Sequence, residues 1–295
     1  MESIALGDLK IGRLGFGAMR ITGPGIMGPP ADMDAARATL HALPELGIDF
    51  VDTSNAYGPL VSELLVREVL HPYKGIAVAT KGGFLRPGPN QWLIDCRPQQ
   101  LRTAVDNSLK LLGIERIDLW QLHRIDPKVP LDDQFGAMAE LQREGKIRNL
   151  GLSNVMVEHI TAAAKHFTVA SVQNRYHVID RTFDPVLVHC EQLGIPFLAY
   201  FPLATGALAR PESILTRVAA DIGITPGQAA LAWLLRRSPA IVAIPGTANP
   251  QHLRENVAAA SVRLTDEQFH AIGRVGERAA LMRGPGPAVP AGPTE

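Results

Sequence analysis

The chain has 295 residues, 46% hydrophobic and 20% charged, with 29 basic and 29 acidic side chains for a formal net charge of zero. That length buries a large core in one big domain or two small ones, and the neutral balance does not favour a nucleic-acid partner. The two cysteines, Cys96 and Cys190, are too few for a disulfide framework and read as buried thiols in a reducing cytosol, while no run approaches the roughly 18 apolar residues of a membrane span.

The N-terminal MESIALGDLK lacks the basic region and long apolar run of a signal peptide, so a cytoplasmic location is expected. SIALGDLKIG reads as a hairpin with Gly7-Asp8 near its turn, placed where it could cap the bottom of a barrel. Candidate strands follow at 12–19, 49–53, 76–81, 117–123, 147–153, 169–175, 196–200 and 240–246. They are dense in Ile, Val, Leu and Phe rather than strictly alternating, which suits parallel strands covered on both faces.

Helical patterns fill the gaps. Leu101, Val105, Leu109 and Leu112 recur at helical spacing between the third and fourth strands. Thr225-Pro-Gly-Gln228 and Thr265-Asp-Glu-Gln268 are capping-box patterns, and Asn249-Pro250 pairs an N-cap with a first-turn proline. Eight strands, each followed by a helix and with no break in composition, predict one α/β domain: a (β/α)8 TIM barrel over 1–278 with an N-terminal hairpin cap. The Pro/Gly-rich end, 279–295, is expected to be a flexible tail. A doubly wound parallel sheet is the competing architecture.

Such a barrel gathers its chemistry at the C-terminal ends of the strands. There the sequence has Asp52 after the second strand, Tyr57 in the loop VDTSNAYG, Lys81 after the third and His123 after the fourth. Singly, each has a plain explanation: a loop cap, a turn tyrosine, a solvated strand end, a histidine satisfying a carbonyl. Together on one rim they make an acid–base group. A phenol of pKa about 10 is a weak donor at neutral pH, and a nearby ammonium lowers that value. A carboxylate anchors the ammonium, and a histidine orients a carbonyl oxygen. The set suits reduction of a carbonyl to an alcohol, and the missing hydride source implies a nicotinamide.

VDTSNAYG, VATKGG, DLWQLHRID, GLSN, SVQNRY, AYFPL and VAIPGTANPQHLREN, in that order over roughly residues 10–260, resemble the aldo-keto reductase family. The resemblance implies a barrel that reduces aldehydes or ketones with NADPH, NADH being possible. It carries a catalytic tetrad onto Asp52, Tyr57, Lys81 and His123, with Tyr57 as proton donor. It also implies that Ser153, Asn154 and Gln173 hold the nicotinamide carboxamide and that Tyr200 stacks on the ring. Met19, Arg20 and Asp52 would join the cofactor contacts. Phe201, Leu203 and Gly206 would meet the pyrophosphate, and Gly246, Thr247, His252, Glu255 and Asn256 would hold the adenosine end. Many members have arginine where His252 stands; a histidine is a weaker partner for a 2′-phosphate at neutral pH. Arg254 points elsewhere on an ideal helix.

The substrate pocket is expected in loop residues: Met19, Ile21 and Met27, Phe84 and Trp92, Tyr176 and His177, and Phe201. A Rossmann site is not supported, because GFGAMR lacks the third glycine. GLSNV lacks the last glycine of a serine-hydrolase elbow. Two rivals stay open: a metal-dependent barrel hydrolase, against which Lys81 would put a cation among the ligands, and a non-catalytic NADPH-binding regulatory subunit. No metal is expected; the partner is a small aldehyde or ketone, with neither nucleic acid nor membrane.

Overall fold

A computed structural model of the chain describes residues 1–204 and 213–283, without the side chains of 275–283. Strands β1 (Ser3–Leu6) and β2 (Leu9–Gly12) form the antiparallel hairpin, turning at Gly7, whose φ of 58° suits glycine. Then come β3 (Phe16–Gly17), α1 (Met33–Glu45), β4 (Phe50–Asp52), α2 (Val61–Leu70) and β5 (Ala77–Gly82). A short hairpin, β6 (Phe84–Leu85) with β7 (Leu93–Ile94), precedes α3 (Pro98–Leu112). The pattern resumes with β8 (Ile117–Leu122), α4 (Leu131–Arg143), β9 (Ile147–Ser153), α5 (Val157–Ala163), β10 (Val169–Arg175) and α6 (Asp184–Leu193). It ends with β11 (Phe197–Tyr200), α7 (Ile214–Asp221), α8 (Pro226–Arg237), β12 (Ile241–Ala243), α9 (Pro250–Ala258) and α10 (Asp266–Arg283).

Eight strands pair in the order β3, β4, β5, β8, β9, β10, β11, β12, every neighbour parallel. The ring closes just before β3. Leu14 bridges Ala243 in parallel, and Gly15 and Gly17 donate to the carbonyls of Ala243 and Pro245 at 2.9 and 3.0 Å. Closure rules out the doubly wound sheet and makes the chain a (β/α)8 barrel. It also explains two glycines: a Cβ on Gly17 would lie 2.7 Å from the Ile244 carbonyl oxygen, and one on Gly246 would lie 2.4 Å from that of Gly17.

Alternation along the strands sorts the core into two layers. Val51, Val78, Trp120 and Leu122 face outward to the helices, while Phe50, Ala79, Leu119, Leu198 and Val242 fill the ring. Leu6 and Ile11 of the hairpin join the inner cluster, so the bottom is plugged as expected. Asp8 fastens the plug to the barrel floor, accepting from Arg148 and Asn149 at 2.9 Å.

The capping signals form as read. Thr225 and Gln228 exchange hydrogen bonds of 2.8 and 3.2 Å, Thr265 and Gln268 bonds of 2.9 and 3.2 Å, and Asn249 accepts from Gln251 N at 2.8 Å. Three features depart from simple alternation. The β6–β7 hairpin folds inside what read as one long connection; β11 is followed by two helices; and α10 continues through Arg283, past the expected start of the tail at 279. The rest of the tail lies outside the described residues, as does Gly206.

Candidate active site

Two residues beyond the apolar layer, the same inward-facing positions turn polar. Phe50 is followed by Asp52, Ala79 by Lys81, and Leu119 by Gln121. Gln173 on β10 and Tyr200 on β11 complete this layer at the mouth. A strand period of two residues thus delivers side chains far apart in sequence to one point on the axis.

Lys81 Nζ is at the centre. It donates to Asp52 Oδ2 at 2.6 Å, to the Thr53 carbonyl at 2.9 Å and to the Tyr57 hydroxyl at 3.3 Å. Those bonds occupy all three ammonium protons, which is how a lysine with no exposed surface is tolerated. Asp52 Oδ1 accepts from Gln121 Nε2 at 3.0 Å and Gln173 Nε2 at 2.8 Å. His123 meets the Tyr57 ring edge-on, with centroids 5.9 Å apart. Its Nδ1 lies 3.2 Å from Ser54 Oγ, and its carbonyl accepts from Asn154 Nδ2 at 3.1 Å.

The electrostatics correct one expectation. Burial is the dominant influence on Tyr57 and raises its pKa above the phenol's ordinary value; Lys81 pulls it down, as anticipated, but does not prevail. Burial pulls the Lys81 ammonium down, but Asp52 and Tyr57 together outweigh it and hold the group above its usual value. Burial, then the nearby Lys81, Arg124 and Arg86, drives His123 well below the ordinary imidazole pKa. The resting site therefore has a protonated phenol, an ammonium and a neutral imidazole at neutral pH.

A cleft of about 580 Å³ opens beside this group. Asp52, Tyr57 and Gln173 form its inner end, and Tyr200, Phe201, Leu203 and Met19 its sides. Arg20 and Gly246 line it further out, and Thr247 follows Gly246 towards the N-terminus of α9. Ser153 and Asn154 lie outside the lining but are tied to it: Tyr200 OH donates to Asn154 Oδ1 at 2.7 Å, and Asn154 Nδ2 donates to Ser153 Oγ at 3.0 Å. On α9, His252 is exposed, Glu255 half-buried and Asn256 buried.

The pocket expectations divide. Met19 and Phe201 line the cleft. Phe84 and Trp92 are outside that lining and pack around His123, the ring that meets Tyr57, with ring centroids 4.8 and 6.3 Å from it and 5.2 Å from each other. Ile21 and Tyr176 are not pocket residues: both are fully buried in the layer between strands and helices, where Tyr176 packs on Phe197 and donates to Asp184. Met27 pairs with Gly58 and His177 with Asp180 across loop backbones. Reading strand ends missed Gln121, Ser54 and Arg86. Gln121 had a signal, since it shares the parity of His123 on one strand; Ser54 and Arg86 act across loops, where no period applies.

The model of the aldo/keto reductase family matches residues 13–277. The chain belongs to the aldo/keto reductase family. This aldo/keto reductase is 51% identical over 267 residues to an uncharacterized oxidoreductase of Schizosaccharomyces pombe, covering 90% of this chain and 87% of that protein. It is 38% identical over 273 residues to pyridoxine 4-dehydrogenase of Escherichia coli, covering 90% and 95%. It superposes on an aldo-keto reductase from Klebsiella pneumoniae, solved in complex with NADPH, with a TM-score of 0.77 and 26% identity over 93% and 95% of the two chains. Membership makes it an NAD(P)H-dependent oxidoreductase.

Proposed function

We propose that this aldo/keto reductase reduces an aldehyde or ketone to an alcohol with NADPH, and that Tyr57 is the proton donor. The observation that carries the reading is the contact between Lys81 Nζ and the Tyr57 hydroxyl at 3.3 Å, inside a layer that opens onto the cleft. The cleft suits the nicotinamide half of the dinucleotide: Tyr57 and Asp52 of the polar layer line it together with the Tyr200 ring and the chain at Pro245 and Gly246. Gln173 stands at its floor for the carboxamide, backed by the Ser153–Asn154 pair. Thr247 and the start of α9 are the seat for the adenosine end, where the positive end of the helix dipole favours a phosphate. When bound, NADPH supplies the hydride.

The rest is the work of the side chains. The Tyr57 O–H points its proton at the carbonyl oxygen, and the alkoxide that develops there takes it. Lys81, held charged by Asp52, stabilises the phenolate left behind. His123, neutral, donates from Nε2 to the same oxygen when the Ser54 hydroxyl donates to Nδ1, which fixes the tautomer. The Phe84–Trp92–His123 corner favours a flat, aromatic carbonyl compound, and a pyridoxal-like aldehyde is a substrate to try first, given the pyridoxine 4-dehydrogenase relative. Two free, buried cysteines suit a reducing compartment and extend the reading to a cytoplasmic enzyme.

Multiple-turnover loss of NADPH absorbance with pyridoxal and with 4-nitrobenzaldehyde tests the activity and separates an enzyme from a cofactor-binding subunit. Tyr57→Phe is expected to fold and to bind NADPH but to lose a factor of about 10² or more in kcat. Near-normal turnover in that variant removes Tyr57 from the mechanism.

A further inference from the structure

Arg86 leaves β6 at the rim of the barrel and satisfies three separate loops at once. Its Nη1 donates to the Ala56 carbonyl at 2.9 Å, its Nη2 to Gly25 at 2.8 Å and its Nε to Gln91 at 2.9 Å. Its guanidinium also covers the Trp92 ring at 3.7 Å. Ala56 immediately precedes Tyr57, Gln91 immediately precedes Trp92, and Gly25 belongs to the loop after β3.

The three loops interlock around the same point. Asn90 N donates to the Gly25 carbonyl at 3.3 Å, and Gly58 N and Gly28 N exchange bonds of 3.3 and 2.9 Å with the opposite backbone at Ile26 and Gly58. Ile26 holds a left-handed φ of 55°, a conformation a branched side chain keeps only where its surroundings dictate it. A guanidinium fork matches three divergent carbonyls; a point-charge ammonium does not.

We propose that Arg86 is a positioning residue that sets the Trp92 wall of the β6–β7 hairpin against His123 and ties the placement of that wall to the placement of Tyr57. The inference rests on Tyr57 and His123 being the pair that receives the carbonyl. The hairpin then decides which carbonyl compounds reach that pair. Arg86 acts in a second way, as a cation whose Nη1 is held 2.9 Å from the carbonyl of the residue that precedes Tyr57. Tyr57 is faced by Lys81 from β5, Asp52 from β4, Arg86 just after β6 and the neutral His123 after β8, and Arg86 favours the phenolate less strongly than Lys81 does.

The two roles separate with two variants. Arg86→Met removes both clamp and charge; Arg86→Lys keeps the charge and loses the fork. With 4-nitrobenzaldehyde and NADPH, both variants are expected to raise the aldehyde KM about tenfold or more, the scale of a misplaced pocket wall, while the NADPH Kd from fluorescence titration stays within twofold. In the reverse reaction, with NADP⁺ and 4-nitrobenzyl alcohol, the rising limb of kcat/KM moves to higher pH in Arg86→Met and stays in place in Arg86→Lys. Circular dichroism confirms that each variant is folded. An unchanged aldehyde KM in both, or equal weakening of aldehyde and NADPH, overturns the positioning role. If Tyr57→Phe abolishes turnover while Arg86→Met leaves KM and limb alone, the inference fails and the proton-donor reading stands. If the parent protein turns over no aldehyde, both fail.

Discussion

The Lys81 ammonium and the Asp52 carboxylate are 2.6 Å apart, with side-chain exposures of 0% and 3%. A pair this deep is costly to break, because removing one partner leaves a charge without water or counterion. Lys81→Met is therefore expected to lower unfolding stability by about 3–5 kcal/mol and to reduce kcat further than that loss of fold explains. Lys81→Met combined with Asp52→Asn is expected to recover much of the stability and none of the activity. Urea denaturation and turnover on the parent protein and the two variants check this. Equal stability of Lys81→Met and the parent protein would show that the pair is not buried in solution.

The direction of the Tyr57 shift has a kinetic consequence. Because burial holds the phenol protonated beyond its ordinary range, carbonyl reduction with Tyr57 as the proposed donor keeps its proton source across neutral pH. The rate of reduction is expected to be flat there and to fall only above the usual phenol pKa of about 10. Alcohol oxidation needs the phenolate and is expected to rise over the same range. His123, already neutral, adds no step near pH 6.5. A reduction profile that breaks near neutrality would assign the proton to another group.

Where a strand period or a cap motif applied, the sequence was legible. The strands at 147–153 and 169–175 form over the residues expected. Asp52, Lys81 and His123 could be found because each ends an apolar strand, and the fold needs no other information to bring them together. The misreadings fall where position depends on packing in the third dimension. Ile21 and Tyr176 follow strands just as Met19 does, but their side chains turn into the helical layer. The β6–β7 hairpin is only two residues on each side, too short for alternation to show. Arg86 carries no strand or cap signal, and only the three loop carbonyls that converge on it reveal its place. The pKa of Tyr57 failed for a related reason: the lysine is visible in the sequence, but the depth of burial that outweighs it is not.

In the proposed adenosine seat, cofactor preference would turn on His252, which is exposed on the first turn of α9. An arginine there offers a permanent charge and a fork that grips a phosphate in two places. His252→Arg is expected to tighten NADPH by a few-fold, about 1 kcal/mol for an exposed pair, and to leave NADH unchanged. Dissociation constants for both cofactors, at low and at physiological salt, measure the difference; the gain should shrink as salt rises. Equal effects on the two cofactors would place the 2′-phosphate elsewhere.

Glu63, on α2, is fully buried beside the strand that carries Lys81. Thr80 Oγ1 donates to its Oε1 at 2.7 Å, but Oε2 closes no well-formed hydrogen bond. Burial raises its pKa, against weaker opposing effects of Ser108, Thr80 and Lys81. The folded state therefore holds a proton that the unfolded chain releases near pH 4.5. Its contribution to stability is complete below that pH and is lost as pH rises towards the folded pKa. Glu63→Gln keeps an acceptor for Thr80 and has no charge to bury. It is expected to flatten this part of the pH dependence and to add about 1 kcal/mol or more at pH 8, with little change at pH 4. Urea midpoints at both pH values decide it, and a variant that is weaker than the parent at pH 8 and less so at pH 4 would mean that Glu63 is ionised in the folded protein and serves as an anion.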